Sequence, residues 1–248
     1  MKDFNKIFEQ LAYRHSYMKV FDDFLQAAIC ALALGRMEKE YYETIKGYSP
    51  EEVKQFGNLF GALILAYEKV STPDGGWDDM LGHIFEEHNG KFGRDASGQF
   101  FTPPHLCDLM AQLSGAETTE ENKINDPACG SGRCLISIDR LNPKNRFHNF
   151  YLGMDVDSRC VKMCTLNFFM FGMKGVVIHM NSLSLEVWSG YRVYLPESCL
   201  GIKPLSKAQC MEYLFEVQNP EVDKVQNPVL LNTEPSIKIE KPKQLSLF

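Results

Sequence analysis

Lys123-Ile124-Asn125-Asp126-Pro127-Ala128-Cys129-Gly130-Ser131-Gly132-Arg133-Cys134-Leu135 is the stretch on which the reading of this chain turns. Four residues of strand character run straight into a glycine-rich turn, and Cys134 to Arg140 then starts a helix. Glycines at 130 and 132 permit a sharp bend and let a ligand approach the backbone without a side-chain clash. The dinucleotide spacing Gly-x-Gly-x-x-Gly is broken, because position 135 is leucine. A Gly-x-x-x-x-Gly-Lys-[Ser/Thr] phosphate loop is missing as well. A nucleotide phosphate is therefore not the indicated guest.

Downstream, Phe150 to Asp155 reads as a second strand, Ser158 to Phe171 as a second helix and Gly175 to Met180 as a third strand. Strand, turn and helix in repetition predict a parallel α/β sheet. The second strand ends in an acid, Asp155, roughly twenty residues beyond the turn, where a carboxylate can accept from both hydroxyls of a ribose. A ribose without phosphates points to S-adenosyl-L-methionine. Asp155 has an alternative use as the N-cap of the helix from Ser158. After Trp188 the pattern weakens, with one more strand expected at Tyr191 to Leu195 and one more helix at Lys207 to Glu216.

Upstream, residues 1 to about 90 read as helical. Apolar residues recur at three and four from Val53 to Tyr67, behind the helix-starting signal Ser49-Pro50-Glu51-Glu52. Helices are also expected from Phe21 to Leu34 and from Asp79 to His88, with Ser71-Thr72-Pro73-Asp74-Gly75-Gly76 as a loop. Hydrophobic residues make up 44% of the 248 and charged residues 23%, enough apolar material for a sizeable core in one or two domains.

Composition also excludes. No apolar run of about 18 residues exists to span a bilayer. Met1 to Lys6 lacks the apolar stretch of a signal peptide, so a cytoplasmic protein is expected. Lys and Arg number 26 against 32 Asp and Glu, a formal charge of -6. A DNA-binding domain that acts alone generally carries a basic face, so this chain by itself is poorly equipped to grip a duplex. Its eight cysteines include no Cys-x-x-Cys pair. They predict reduced, mostly buried thiols, with neither a metal site nor disulfides.

Asp126-Pro127-Ala128-Cys129-Gly130-Ser131-Gly132 resembles the cofactor motif of N6-adenine DNA methyltransferases, especially the modification subunits of type I restriction systems. Gly98-Gln99-Phe100-Phe101-Thr102-Pro103-Pro104 is similar to the Gly-Gln-[Phe/Tyr]-[Phe/Tyr]-Thr-Pro segment that precedes the core in that family. Gly153-Met154-Asp155-Val156-Asp157 resembles its ribose-binding strand end, and Asn181-Ser182-Leu183 its next strand end. The resemblance covers roughly residues 50 to 188. Taken singly, Phe100 and Phe101 also fit as core aromatics and Asn181 as the simple end of a strand; order and spacing together carry the resemblance.

The resemblance implies a helical N-terminal region over 1–92, then a partial Rossmann-like S-adenosylmethionine-dependent methyltransferase sheet, an α/β domain over 93–217. Composition without periodicity beyond Gln218 predicts a flexible tail over 218–248. The resemblance also implies a methionine pocket shaped by Asp126, Gly130 and Gly132, with Phe101 and Thr102 closing over it and Pro127 and Ala128 among the cofactor-binding residues. Asp155 would hold the ribose and Asn181 the adenine amino group.

Such enzymes act on a flipped-out adenine. The family's [Asn/Asp]-Pro-Pro-[Phe/Tyr/Trp] segment for that step is not found: Asn219-Pro220-Glu221-Val222 and Asn227-Pro228-Val229-Leu230 lack the second proline and the aromatic. The expectation is a cofactor-binding chain that methylates DNA only with a second protein chain, and no residue here is assigned as catalytic. A separate signal closes the sequence. Gln244-Leu245-Ser246-Leu247-Phe248 resembles the pentapeptide by which bacterial replication and repair proteins dock on the DNA polymerase sliding clamp. Leu247 and Phe248 would enter an apolar pocket while Gln244 hydrogen-bonds at a neighbouring site, with Leu245 among the partner-binding residues. A non-catalytic remnant or adaptor recruited by that tail is the alternative reading.

Overall fold

Six helices precede the first strand in the computed structural model, which describes residues 2–71, 76–92, 101–114, 123–141, 149–193, 201–218 and 245–246. They are α1 (Lys2–Arg14), α2 (Tyr17–Leu32), α3 (Glu38–Ile45), α4 (Pro50–Val70), α5 (Met80–Phe92) and α6 (Pro104–Leu113). The start of α4 obeys the expected signal. Ser49 Oγ accepts from the Glu52 N–H at 3.3 Å, the Glu52 carboxylate accepts from the Ser49 N–H at 2.8 Å, and Pro50 opens the helix. Such reciprocal capping contributes about 1 kcal/mol. Phe4, Phe8, Phe21 and Phe24 are fully buried where α1 meets α2.

The sheet has the order β5-β4-β3-β2-β1-β6. Its strands are β1 (Lys123–Asp126), β2 (Phe150–Asp155), β3 (Gly175–Asn181), β4 (Glu186–Val193), β5 (Ile202–Leu205) and β6 (Leu245–Ser246). Helix α7 (Arg133–Leu141) joins β1 to β2, α8 (Ser158–Phe171) joins β2 to β3, and α9 (Lys207–Gln218) follows β5. Strands β1, β2 and β3 are parallel in consecutive order, as the alternation of strand and helix predicts.

The sheet is mixed rather than wholly parallel. Only residues 182–185 separate β3 from β4, and a loop so short returns the chain antiparallel, as found. The strand expected at Tyr191 to Leu195 is the end of a longer one that already begins at Glu186. Strand β5, four residues containing Pro204, runs antiparallel to β4 and was not expected. At the opposite edge β6 runs parallel to β1, with Leu245 opposite Ile124.

One buried cluster runs from the aromatics of α1 and α2 through Leu59 and Leu63 of α4 to Leu135, Tyr151, Phe168 and Phe171. The Lys162 ammonium of α8 donates to Asp22 of α2 at 2.8 Å across that junction. Seven cysteines lie among the described residues, all of them free and buried. None of the described helices is long and apolar enough to cross a membrane.

Candidate functional site

Strands β1 and β2 end side by side, and the turn after β1 is fastened to the end of β2. Asp126 is 3% exposed, and its Oδ1 accepts from the Ala128 N–H at 3.0 Å, bending the chain around Pro127. The Cys129 N–H donates to the Met154 carbonyl at 2.8 Å. The Gly130 N–H donates to Asp155 Oδ2 at 2.9 Å, and the Gly132 N–H returns to the Cys129 carbonyl at 2.7 Å.

The two glycines are required on two counts. Their φ angles are +56° and +94°, where a β-carbon is strained. A Cβ at 130 would lie 2.9 Å from the Phe101 ring, and one at 132 would lie 2.8 Å from Cys164 Sγ.

Phe101 therefore sits directly on the turn. Its ring stacks on Phe85 at 5.5 Å between centroids, and the Arg133 guanidinium lies 5.1 Å from the ring centre. Thr102 enters through its backbone carbonyl, which accepts from Arg133 Nη1 at 3.4 Å. Gly98, Gln99 and Phe100 of the same motif lie outside the described residues.

Asp155 is not the cap of α8; Asp157 is, accepting from the Arg159 N–H at 2.8 Å. The Asp155 carboxylate instead accepts from Gly130 through Oδ2 and from the Asp157 N–H through Oδ1 at 2.8 Å. A carboxylate offers about four acceptor positions, so capacity for a ligand hydroxyl remains. Burial pushes the Asp155 carboxyl above its ordinary range, opposed by the backbone donors of Asp157 and Gly130. Burial likewise pushes Asp126 up to about 6, with the Ala128 N–H pulling down and the Asp155 charge adding to the rise. Two desolvated carboxyls are thus set around one turn, and a guest that brings hydroxyl donors or positive charge relieves both. A ribose with a cationic centre fits that requirement.

Asn181, at the end of β3, is connected to the turn through its neighbour: Ser182 Oγ donates to the Pro127 carbonyl at 2.6 Å. The Asn181 Oδ1 accepts from the backbone of Leu183 at 3.0 Å and of Ser184 at 3.1 Å. What it retains for a ligand is its Nδ2 amide, a donor, whereas an adenine amino group asks for an acceptor. Phe101, Thr102, Asp126, Pro127, Ala128, Gly130, Gly132 and Asp155 are brought together, with Asn181 one strand further along. Of the C-terminal pentapeptide, Leu245 and Ser246 form the strand beside β1, while Gln244, Leu247 and Phe248 lie outside the described residues.

Reading the sequence passes over two charged residues beside the turn. Asp79 is fully buried and Arg133 is 4% exposed, although Arg133 directly follows the glycine motif.

Residues 77–192 match the family model for N-6 DNA methylases. The methylase subunit of the type I restriction enzyme MpnII of Mycoplasma pneumoniae is 22% identical over 193 residues, covering 70% of this chain and 34% of the relative. The type II restriction enzyme and methyltransferase RM.BcgI of Heyndrickxia coagulans is 28% identical over 155 residues, covering 57% of this chain and 23% of the relative. The chain thus spans about a third or less of the length of these relatives. Among solved structures, a type I methyltransferase subunit from Streptococcus thermophilus aligns over 68% of this chain and 36% of its own length. Its TM-score is 0.36 at 21% identity. A modification subunit of a type I restriction enzyme from Vibrio vulnificus aligns over 58% and 28%, with a TM-score of 0.35 at 18% identity. Residues 77–192, which hold both the glycine turn and Asp155, are thus the part of this chain that is similar to the N-6 DNA methylase family.

Proposed function

We propose that this chain is the cofactor-binding part of a restriction-modification-type N6-adenine DNA methylase. S-adenosyl-L-methionine is the cofactor of the family, and its sulfonium supplies an already activated methyl group. The observation that carries the proposal is the bond from the Gly130 N–H to Asp155, which sets the turn against a carboxylate with acceptor capacity to spare. Asp155 holds the ribose hydroxyls. Asp126, with Pro127, Ala128, Gly130 and Gly132, walls the methionine end, and Phe101 and Thr102 close over it. Asn181 meets the adenine ring by donating from Nδ2 to a ring nitrogen, because its Oδ1 is already taken by Leu183 and Ser184.

Methyl transfer itself needs positioning more than acid-base chemistry. The Asn-Pro-Pro-aromatic segment that engages adenine in this family is not among the 248 residues. Transfer to DNA is proposed for an assembly that includes a second protein chain, in the cytoplasm. Calorimetric titration of the chain with S-adenosyl-L-methionine, beside Asp155→Ala, tests the cofactor site. Loss of hydrogen bonds to a charged group costs about 1.5–3 kcal/mol, so the variant should bind roughly 10- to 150-fold more weakly. Failure of the folded wild type to bind overturns the proposal.

A second reading, carried by sequence alone, gives Gln244 to Phe248 to a sliding clamp. Clamp docking competes with the pairing of Leu245 and Ser246 on β1. Clamp pull-down with and without the last five residues decides it.

A further inference from the structure

The face of the glycine turn opposite Asp155 rests on a buried polar network to which neither the composition nor the family motif draws attention. At its centre is Asp79, the residue just before α5, with no exposed surface. Its Oδ1 accepts from the Gly82 N–H at 2.8 Å and from Asn167 Nδ2 at 2.9 Å. Its Oδ2 accepts from Arg133 Nε at 2.8 Å and from the Ser131 hydroxyl. Four donors fill the four acceptor positions of one carboxylate.

Each partner reaches on to another element. Asn167 of α8 also donates to the Ser131 carbonyl at 2.8 Å, and its Oδ1 accepts from the Tyr67 hydroxyl of α4. Arg133 donates through Nη2 to Glu86 Oε2 at 2.8 Å and through Nη1 to Glu86 Oε1 at 3.3 Å. Arg133 also touches the other wall of the site, through the Thr102 carbonyl and the Phe101 ring. The turn is gripped at the hydroxyl and carbonyl of Ser131, the residue between the two glycines, and at Arg133 just beyond them.

Buried ion pairs are a poor means of gaining stability, because desolvation offsets most of the attraction. What this one provides is definition of place. Helices α4, α5 and α8 are held to one backbone segment by directional bonds whose loss leaves a buried charge unpaired.

We propose that Asp79, Arg133 and Asn167 are positioning residues for the cofactor. They fix the Gly130–Gly132 turn and the Phe101–Thr102 wall in their binding geometry before any ligand arrives. The proposal rests on the cofactor reading given above and deepens it: the helical region is then part of the cofactor site through α4 and α5, although neither helix is assigned a ligand contact.

The test uses the full chain and two readouts. In the ligand-free protein, amide resonances of Gly130, Ser131 and Gly132 report the turn, with Gly172 and Gly190 as distant references. Calorimetry then reports affinity for S-adenosyl-L-methionine. Asp79→Asn is expected to move the three turn resonances, leave the references in place and weaken binding at least 10-fold in a chain that remains folded by circular dichroism. Arg133→Lys keeps the charge but loses the planar fork, and is expected to bind several-fold more weakly than wild type yet better than Arg133→Met. Tyr67→Phe removes only the outermost bond and is expected to weaken binding about 2- to 5-fold.

Turn resonances and affinity both unmoved in folded Asp79→Asn overturn the proposal. Should Asp79→Asn not fold, Arg133→Lys and Tyr67→Phe decide with the same readouts, and wild-type behaviour in both overturns it. If the wild type does not bind the cofactor, the cofactor reading fails on its own. The turn resonances still decide whether these residues position the turn.

Discussion

The turn after β1 and the turn after β3 lie beside each other, joined by the Ser182 hydroxyl on the Pro127 carbonyl, yet they are made in opposite ways. The first is held by donors and acceptors from α5, α7, α8 and β2, and Ser131 and Gly132 are buried in it. The second is held chiefly by one side chain of its own, the Asn181 carbonyl on two following N–H groups, and it leaves Leu183 98% and Leu185 66% exposed. The difference teaches where shape is imposed from outside and where it is local. A substitution in the first turn should disturb many elements, and one in the second only itself.

The largest expected effect is that of Gly132→Ala. It combines a positive φ with a Cβ driven against Cys164, and should cost about 2–4 kcal/mol in urea unfolding. A loss below that of Asn181→Ala in the same assay would remove the contrast between the turns.

Next comes the titration of Asp126. Its folded carboxyl titrates near 6, against about 3.9 when unfolded, so the native state holds more protons between those values. That contribution to stability is fully present below about pH 4 and is lost as pH rises through about 6, a change of about 2–3 kcal/mol. Asp126→Asn should therefore be more stable than wild type at pH 8 by about 2 kcal/mol and nearly equal to it at pH 4, as read by unfolding at both pH values. Its cofactor affinity should fall all the same, which separates a group kept for binding from one kept for stability.

In the second turn, Asn181→Ala should cost about 1 kcal/mol, the usual value of a side chain that satisfies exposed backbone donors. Smallest of all is Leu185→Asn. Leu185 has φ +59°, a conformation that asparagine adopts more readily, so a gain of about 0.5 kcal/mol in thermal unfolding is expected.

Much of the first half of the sheet was legible because its signals are local. The acid at 126, the glycines at 130 and 132 and the apolar run from Phe150 each specify their neighbours, and β1, β2 and α8 fall where those signals put them. The hairpin of β4 and β5 was not legible. Buried residues of β4 fall at Val187, Gly190 and Val193, a spacing of three rather than the strand's two. The first step spans the register shift between His179 and Met180, and the second crosses the sheet, since Val187 packs in one core cluster and Val193 in the other. The site was legible as far as Asp155 and Phe101, whose motifs travel with the turn. Asp79 gave no such sign, since its partners Ser131 and Arg133 lie 52 and 54 residues along the chain. Asn181 was placed correctly at a strand end, but sequence does not tell which of its amide atoms the backbone will occupy.

That long separation has a consequence during synthesis. A chain leaving the ribosome amino end first presents Tyr67 and Asp79 well before Ser131, Arg133 and Asn167 exist. Domains form as their segments emerge, and contacts between distant segments wait upon the later one. The Asp79 carboxylate is thus already at hand when the glycine turn appears, and the Arg133 guanidinium meets its counter-charge as it is withdrawn from water. An arrangement in reverse order would leave that cation seeking a partner not yet made.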